Sequence, residues 1–516
     1  MLRGKHAGLL QLVLVVAPAF ILFGYNQSNV GGLLSVQDWV ETFPEIDTLT
    51  TKGAQKTHNS TIQGVVVASF VLGALVGALS CSWIGDKLGR RRTIFLGTTL
   101  TLLGEVLECS SFQLAQLVVG RTILGCGVGA LSAVVPVWQS ETSSASKRGQ
   151  HVVLDGLFIC IGYILQAWIN LGFYQIKHGS LSWRLPLALP AVVSILLMAS
   201  IWLFPESPRW LAAKGRLQEA RRNLAISRNA HEDDPIVSSE MSAIEHSLEL
   251  NSKHASRLRD IFTSGEDKLV YRFMLCIVLQ FFQQMTGGNL ISVYSTVIFQ
   301  QGLQLDSQTS RILSGGTLTW KFLSSFVAFF TVERFGRRKL FMFSGSGMAL
   351  CMMALAVATS FPKSNQSAQV ASVFFVYLFN FFIPIGFLGA NFLYCTEVAP
   401  THLRVKMASI STANHWLWNF VVTMITPVAI ESIGYQYYIV FTAIGICVPL
   451  SVYWFFPETK GRTLEEMDAL FREKGSVRGV VKASLRKDDG LERRGNDDDF
   501  LHEEKRRVSV EEVEDV

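Results

Sequence analysis

The amino-acid sequence predicts an all-α membrane protein with twelve transmembrane helices in two pseudo-symmetric six-helix halves. The 516 residues are 49% hydrophobic and only 17% charged, which a soluble chain could accommodate only in unusually large cores. About twelve apolar stretches are long enough to cross roughly 30 Å of hydrocarbon. Three short charged motifs also recur, in the same order, in the two halves of the chain.

The apolar stretches follow one another along the chain. They span residues 9–34, 62–85, 93–112, 115–138, 152–174, 185–204, 270–299, 312–332, 340–359, 370–394, 407–430 and 437–456. The chain thus divides into an N-terminal segment (1–8), a first half (9–205), a linker (206–268), a second half (269–457) and a tail (458–516). The linker has charged faces at helical spacing and is expected to form short helices. The tail carries charges of both signs and is expected to be largely disordered.

Basic residues in the short loops set the expected orientation, because Lys and Arg accumulate on the cytosolic side of membranes. Clusters at 87–92, 147–148 and 334–339 all follow even-numbered spans, so the linker and both termini are expected in the cytosol. Glycosylation sequons at Asn59 and Asn365 then fall on the other side, where glycosylation takes place. We expect a multi-pass glycoprotein of the plasma membrane.

Internal repetition is the most specific architectural signal. The sequence DKLGRR at 86–91 recurs as ERFGRR at 333–338, and PES at 205–207 recurs as PET at 457–459. Glu141 and Arg148, seven residues apart, recur as Glu397 and Arg404. All three pairs are separated by about 250 residues, as expected for two halves related by an axis along the membrane normal.

Residues 280–295, QFFQQMTGGNLISVYS, bring polar side chains into the seventh apolar span. Gln283, Gln284 and Asn289 would be costly if left unsatisfied in hydrocarbon, so they are expected to face a cavity or a ligand. Packing against a neighbouring helix would explain Gly287 and Gly288, but not three amides. The stretch therefore predicts a helix that contacts a polar substrate.

The chain resembles the sugar porter family of the major facilitator superfamily from residue 9 to residue 471. The similarity is carried by DKLGRRR, GRTILGCGVG, PESPRWL, QQMTGGN, ERFGRR, YCTEVAPTHLR and PETKGRTLEEMD. PESPRWL together with QQxxGxN and PETKGRTLEE is close to diagnostic of this family. The resemblance implies the major facilitator fold, substrate binding between the two halves, and transport by alternating access.

The resemblance also implies roles for two sets of residues. Gln283, Gln284 and Asn289 would bind substrate through paired donors and acceptors, with Tyr294 as an outer-gate aromatic. Charged residues would form a cytosolic network that is made in one state of the transporter and broken in the other; alternatively, they only orient loops during insertion. This network comprises Asp86, Arg90, Arg121, Glu141, Arg148, Glu206, Glu333, Arg337, Glu397, Arg404 and Glu458.

Several positions depart from the family pattern and are expected to decide which solute is carried. Asn26 replaces an Asp of proton-coupled relatives and cannot titrate, which favours facilitated diffusion. Gly156 stands where many relatives have a sugar-binding Gln, and Phe392 replaces a Trp. His415 falls where an Asn is common, although it could equally be an ordinary polar aromatic on a packed helix. The expected substrate-binding set is completed by Asn26, Phe392, His415 and Lys321, which takes the place of a sugar-binding Asn.

Lys321 lies twelve residues before Glu333, about 18 Å from the cytosolic end of its helix and beyond the reach of snorkelling. Three interpretations are open. Lys321 pairs with Glu105 or Glu108, which share a helix face. It binds an anionic group of the substrate, with His415 as a further donor. Or it is neutral and hydrogen-bonds a neutral sugar. Glu105 is also a candidate proton carrier.

The sequence thus predicts transport of a monosaccharide, or a related polyol or sugar acid, by facilitated diffusion or proton-linked uptake. Alternatives are a proton symporter of a galacturonate-like or quinate-like sugar acid that uses Lys321, a non-transporting sugar sensor, and an exporter of a secondary metabolite. The sequence has no catalytic motif, metal-ligand spacing or nucleic-acid stripe, so no enzyme activity, cofactor, metal or nucleic-acid partner is expected. The expected partners are the solute, in a symporter also a proton, and the lipid bilayer, with the chain acting as a monomer.

Overall fold

A computed structural model describes residues 7–142, 148–176, 179–253, 267–362, 364–400, 403–462, 464–473 and 475–485. Throughout these residues the regular secondary structure is helical. The first half contains α1 (Ala7–Gln11), α2 (Ala17–Leu33), α3 (Gln37–Thr42), α4 (Gly53–Leu88), α5 (Arg90–Cys109), α6 (Leu114–Thr142), α7 (Arg148–Tyr174), α8 (Leu181–Ala188) and α9 (Pro190–Ser200). A π-helical turn (Leu12–Val16) joins α1 to α2, and 3₁₀ turns cover Pro44–Ile46 and Ile201–Leu203.

Three helices occupy the linker: α10 (Pro208–Ala213), α11 (Leu217–Arg228) and α12 (Pro235–Lys253). The second half contains α13 (Leu269–Met285), α14 (Gly288–Val297), α15 (Ser307–Phe335), α16 (Arg337–Ser360), α17 (Gln366–Phe387), α18 (Ala390–Val398), α19 (Arg404–Ser432) and α20 (Gln436–Phe455). A π-helical turn, Ile298–Gly302, extends α14. Two more helices follow, α21 (Leu464–Glu473) and α22 (Val477–Leu485).

Nine helical segments in the described part of the chain are long and apolar enough to cross a membrane. The other three apolar stretches of the sequence lie on α5, α15 and α19, which are 20, 29 and 29 residues long. These helices carry Glu105, Lys321 and His415, and such residues lower their mean hydropathy. The count of twelve spans therefore remains a prediction for these three.

The span that contains residues 280–295 is broken in its middle. Helix α13 ends at Met285 and α14 begins at Gly288. Between them Gly287 has a φ of +91°, a left-handed conformation that favours glycine. A second break, at Leu388 and Gly389, separates α17 from α18. Both breaks place polar side chains at mid-membrane depth on the face of the second half.

The two halves contact each other most extensively along three helix pairs: α2 with α14, α4 with α19, and α7 with α15. Glycines permit the closest approaches. A Cβ atom on Gly31 of α2 would lie 2.0 Å from the carbonyl oxygen of Val293 in α14, and one on Gly64 of α4 would lie 2.5 Å from that of Met424 in α19. We call the end of the bundle where α4 meets α5 the basic end; these close approaches lie toward the opposite end.

At the basic end the repeated charged motifs adopt the same geometry in each half. Arg90 contacts Glu141 at 3.1 Å, and Arg337 contacts Glu397 at 2.9 Å. Arg90 also pairs with Asp86 at 3.1 Å. Each of these ion pairs joins helices of the same half, so these contacts alone do not latch one half to the other. The side chains of Arg148, Glu333 and Arg404 lie outside the described residues.

Two further members of the predicted network cap helices at the basic end. The Glu206 carboxylate accepts hydrogen bonds from the backbone N–H groups of Arg90 and Arg91, at 3.0 and 3.1 Å. Glu458 accepts from those of Arg337 and Arg338 in the same way, at 3.0 and 3.1 Å. A carboxylate at a helix N-terminus satisfies free N–H groups and opposes the helix dipole.

Placing Arg121 in the cytosolic network was wrong. Arg121 lies 20 residues before Glu141 on α6, about 30 Å nearer the opposite end. Its guanidinium is fully buried, donates to the carbonyl oxygen of Val66 at 2.8 Å and pairs with Glu108 at 3.7 Å. The motif match did not show at which end of the helix the arginine lies. Because α6 runs toward the basic end, Arg121 near its start lies toward the opposite end.

The expectation of disorder after residue 458 was wrong for residues 464–473 and 477–485, which form α21 and α22. Met467, Leu470 and Phe471 form a buried face of α21, and Asp468 pairs with the buried Arg272 of α13. Charge composition alone concealed this amphipathic face. Residues 486–516 lie outside the described part of the chain.

The two glycosylation sequons have different environments. Asn59 is only 1% exposed, and its Nδ2 donates to the carbonyl oxygen of Asp47 at 2.8 Å. This contradicts Asn59 as a glycan site in the folded protein, because the atom that would carry the sugar is buried and bonded. Asn365 is exposed at the N-terminus of α17, where its Oδ1 accepts from the N–H of Ala368 at 3.2 Å. Asn365 stays a predicted glycosylation site.

Candidate binding site between the two halves

A chain of hydrogen bonds crosses from the first half to the second at mid-membrane depth. The Tyr163 hydroxyl of α7 donates to Oε1 of Gln27 in α2 at 2.8 Å. Gln27 Nε2 donates to Oδ1 of Asn289 at 3.4 Å. Asn289 Nδ2 in turn donates to Oε1 of Gln284 at 2.5 Å. Two predicted binding residues, Gln284 and Asn289, are thus linked to first-half residues that the sequence reading missed.

The break between α17 and α18 extends this chain within the second half. Asn391, in the first turn of α18, donates to Oε1 of Gln283 at 2.7 Å and to Oε1 of Gln280 at 3.1 Å. Gln283 Nε2 donates to the carbonyl oxygen of Phe387 at 2.9 Å. We call the connected side chains the amide network: Gln27, Tyr163, Gln280, Gln283, Gln284, Asn289, Asn391 and His415.

His415 of α19 joins the two predicted glutamines. Its Nδ1 lies 2.8 Å from Gln283 Oε1, and its Nε2 lies 3.1 Å from Gln284 Nε2. The neutral tautomer with the proton on Nδ1 satisfies both contacts, donating to Gln283 and accepting from Gln284. The Phe392 ring centroid is 5.5 Å from that of His415, which places this predicted residue beside the network. His415 is therefore a bonded member of the network and does more than pack.

Lys321 is 3% exposed and points into the interface between the halves. Its Nζ donates to the Ser292 hydroxyl of α14 at 2.7 Å and lies 4.8 Å from the centroid of the Tyr163 ring. The hypothesis of an ion pair with Glu105 or Glu108 is contradicted, because within the described residues no carboxylate lies within ion-pair distance of Lys321. The two interpretations in which Lys321 faces the solute remain.

Glu105 and Asn26 belong to a separate site inside the first half. Asn26 Nδ2 donates to Oε1 of Glu105 at 3.0 Å, and the Ser194 hydroxyl donates to Oε2 at 2.8 Å. Including Asn26 in the substrate-binding set was therefore wrong: its amide turns away from the interface, while the next residue, Gln27, turns toward it. Glu105 is buried, and no basic side chain in the described residues pairs with it.

Tyr294 and Gly156 both lie at closely packed positions. Tyr294 is fully buried in α14, and its hydroxyl donates to the carbonyl oxygen of Thr423 in α19 at 2.9 Å. That bond joins two helices of the second half, and the outer-gate role of Tyr294 stays a prediction. At Gly156 an added Cβ atom would lie 3.3 Å from Leu388, so the space of a side chain there is taken by the break after α17.

A small polar cavity lies between the halves, on the side of the amide network that faces the opposite end. Its lining includes Ser28, Gln166, Asn170, Ser292, Arg311 and Ser314. Gln166 and Asn170 are four residues apart on α7, so they share one helix face, and Gln166 accepts from the Ser28 hydroxyl at 2.9 Å. This spacing of amides within an apolar span was a signal that the sequence reading could have used.

The network and the cavity offer amide and hydroxyl groups that both donate and accept hydrogen bonds, which suits a solute with several adjacent hydroxyl groups. Comparisons with known proteins agree with this chemistry. Residues 12–471 match the family described as Sugar (and other) transporter. The MFS-type transporter oryC of Aspergillus oryzae is 35% identical over 87% of this chain and 83% of its own length. The Sugar transporter STL1 of Saccharomyces cerevisiae is 32% identical over 91% and 83%.

Solved structures show the same fold. The proton:xylose symporter XylE bound to 6-bromo-6-deoxy-D-glucose superimposes with a TM-score of 0.76, at 22% identity over 91% of this chain and 100% of that chain. The partially occluded, inward-open xylose transporter XylE from E. coli gives a TM-score of 0.72 at 20% identity, over 88% and 99%. At these identities the similarity establishes the major facilitator fold alone.

The fold and the interface between its halves define a multi-pass membrane transporter of the major facilitator class. Within that class, the chain belongs to the Sugar (and other) transporter family, the sugar porters. Its relatives are named as transporters, not as enzymes.

Proposed function

We propose that the protein carries a monosaccharide, or a closely related polyhydroxylated solute, across the plasma membrane by alternating access, with its basic end and both termini in the cytosol. The observation that carries this proposal is the amide network, which joins Gln27 and Tyr163 of the first half to Gln284 and Asn289 of the second. A solute that replaces these hydrogen bonds contacts both halves at once, so its binding is linked to their relative movement.

The names of the relatives support a sugar as cargo. One is a high-affinity fructose transporter of Schizosaccharomyces pombe, 31% identical over 89% of this chain and 86% of its own length. The hydroxyl groups of a sugar can take over the donors and acceptors that the network now shares internally. Exchange of one set of hydrogen bonds for another has a small net free energy, which permits both binding and release.

Uptake by cells that lack their own sugar carriers tests the proposal with Gln284→Ala. The change removes one hydrogen-bond partner from Asn289 and one from His415, which costs about 1–3 kcal/mol, or roughly five- to 150-fold in apparent affinity. Gln116→Ala is the matched control, because Gln116 lies in α6 outside the network and donates to Leu107 and Ser110. Unchanged uptake of every sugar by the Gln284 variant, at normal surface expression, would contradict the proposal.

We further propose that uptake is linked to protons through Glu105. This carboxylate of α5 is buried and is held by the neutral donors of Asn26 and Ser194, and Asn26 directly precedes the network residue Gln27 on α2. An unpaired carboxylate at membrane depth gains a proton at low free-energy cost. Protonation of Glu105 changes its hydrogen bond with Asn26, and this change is expected to shift the adjacent residue Gln27. Facilitated diffusion is the alternative, and it predicts uptake that no protonophore affects.

A further inference from the structure

Two buried basic side chains on α15 differ from the other buried basic side chains in the described residues, because neither has a carboxylate beside it. Arg90, Arg121, Arg272 and Arg337 each pair with a carboxylate. Arg338 lies at the basic end beside the Glu458 carboxylate, which accepts from its backbone N–H. The remaining two are Arg311 and Lys321, which are both 3% exposed and have only neutral partners.

Arg311 crosses the interface between the halves near the opposite end. Its two terminal nitrogens donate to the carbonyl oxygen of Gly32, at 2.6 Å, and to the Ser35 hydroxyl, at 2.7 Å. Its guanidinium lies 4.1 Å from the ring centroid of Tyr174. The third nitrogen, Nε, is buried and has no hydrogen-bond partner in the described structure. A buried cation that lines the cavity thus keeps an unpartnered nitrogen donor.

The neutral partners of Arg311 compensate its charge only in part. Gly32 lies in the last turn of α2, whose C-terminus carries roughly half a negative charge. Arg184 also donates to carbonyl oxygens at a helix C-terminus, that of α5, but it does not lie between the two halves. It donates to the carbonyl oxygens of Cys109 and Ser111, at 2.7 and 2.8 Å, and lies 4.3 Å from the Trp183 ring, but it is half-buried and within the first half. Capping a helix therefore does not require burial between the halves.

Arg311 and Lys321 border the same polar cavity. Arg311 lines it directly, and Lys321 reaches it through its hydrogen bond to Ser292, another lining residue. The buried carboxylates of the first half do not neutralise them, because Glu105 is bonded to Asn26 and Ser194, and Asp155 faces Gln139 of α6. The cavity therefore combines the Arg311 guanidinium with the hydroxyl and amide groups of Ser28, Gln166 and Asn170, and Lys321 Nζ lies one hydrogen bond away, on Ser292.

We infer that the transported solute carries a carboxylate, as in a sugar acid or a carboxylated polyol, and that Arg311 forms the carboxylate subsite. This inference rests on the proposed function and specifies its substrate class. A carboxylate accepts from the free Nε–H of Arg311, and Lys321 supplies the second positive charge of the site. The amides and hydroxyls hold the hydroxyl groups of the solute. A neutral sugar would satisfy the amides and hydroxyls but would leave the charges of Arg311 and Lys321 unpaired.

The test reconstitutes the purified protein in liposomes and compares galacturonate with galactose, which differ only at C6, together with quinate, gluconate, glucose and inositol. Wild type is expected to transport at least one carboxylate at tenfold or greater preference over the neutral solutes. Arg311→Gln is expected to lower uptake of that carboxylate at least tenfold more than it lowers uptake of the neutral solutes. Arg184→Gln, the matched control, keeps the wild-type preference.

Several results overturn the inference while leaving the proposed function intact. The first is transport of neutral solutes when no carboxylate is transported or competes. The second is an equal loss of neutral and anionic uptake in Arg311→Gln, which a purely structural helix cap would give. The third is selection of phosphate esters alone. If no solute of the panel is moved, the proposed function itself fails. Should Arg311→Gln not fold, thermal stability of the wild type decides: the preferred carboxylate must stabilise it more than its neutral counterpart does.

Discussion

Glu105 is the side chain on which the proposed proton coupling depends. Leaving an unpaired carboxylate ionised inside a membrane costs several kcal/mol, whereas the two neutral donors of Asn26 and Ser194 each return only about 1.5–3 kcal/mol. The proposed coupling requires these opposing contributions to be close enough for the proton to bind and leave within one transport cycle. The helix that carries Asn26 also carries Gln27, so the two sites share a structural element.

At this scale the expected effect of Glu105→Gln is loss of proton coupling without loss of binding. A glutamine resembles the protonated acid and cannot release a proton, so accumulation against a gradient and stimulation at low external pH should both disappear. Solute exchange at equilibrium, which needs no net proton movement, should continue. The measurement is uptake between pH 5 and pH 8, with and without a protonophore, beside counterflow in the same cells.

Ser194→Ala is the control for this change, because it removes a donor to Glu105 but keeps the titrating carboxylate. It should retain uptake that depends on pH. Wild-type uptake that is indifferent to both the protonophore and pH would instead identify facilitated diffusion, and Glu105 would then be a structural residue.

Among the elements, α2 and α14 form the closest contact between the halves. Their backbones meet at Gly31 and Val293 with no room for a side chain, and Arg311 ties the C-terminus of α2 to α15 beside them. Alternating access requires this contact to open and re-form in every cycle. The broken helix formed by α13 and α14 permits such movement, because α14 can tilt about Gly287 without bending a continuous helix.

Gly31→Ala is therefore expected to prevent closure of the opposite end. Its new Cβ would lie 2.0 Å from the Val293 carbonyl oxygen, a distance that no rotamer change can relieve because the neighbouring atom belongs to the backbone. Uptake should fall at least tenfold. A Ser314→Cys reporter in the cavity should react faster with an impermeant maleimide from outside.

Gly172→Ala provides the control, since its added Cβ meets nothing within 4 Å. This substitution should leave both uptake and labelling unchanged. Normal transport by Gly31→Ala would show that the contact between α2 and α14 does not need to close during the cycle.

For the whole molecule, the sequence was sufficient to predict the helical membrane fold, its repeated motifs and the polar character of residues 280–295, whose substrate-facing role stays a prediction. Periodicity and repetition report hydrophobic faces and internal symmetry, and these determine architecture. What the sequence could not provide was the rotation of each helix about its axis. Asn26 and Gln27 are adjacent, yet one faces Glu105 and the other faces the second half.

The same limit explains the other errors. Arg121 matched a motif, but only the packing of α6 against α4 and α5 shows that it pairs with Glu108. Arg311 has no distinguishing sequence signal, because an arginine directly before a predicted span, here residues 312–332, resembles an ordinary membrane anchor. Its burial between the halves depends on α2 and α7, which lie more than 100 residues away in the chain.

The most direct test of transport through the amide network is counterflow in sealed liposomes that contain only the purified protein and a saturating internal solute of the sugar or sugar-acid class. Radiolabelled external solute should enter transiently above equilibrium, and Gln284→Ala should abolish this overshoot while Gln116→Ala preserves it. Saturable binding with no counterflow would contradict the mechanism and identify a sensor. An equal overshoot in both variants would show that the network does not carry the solute.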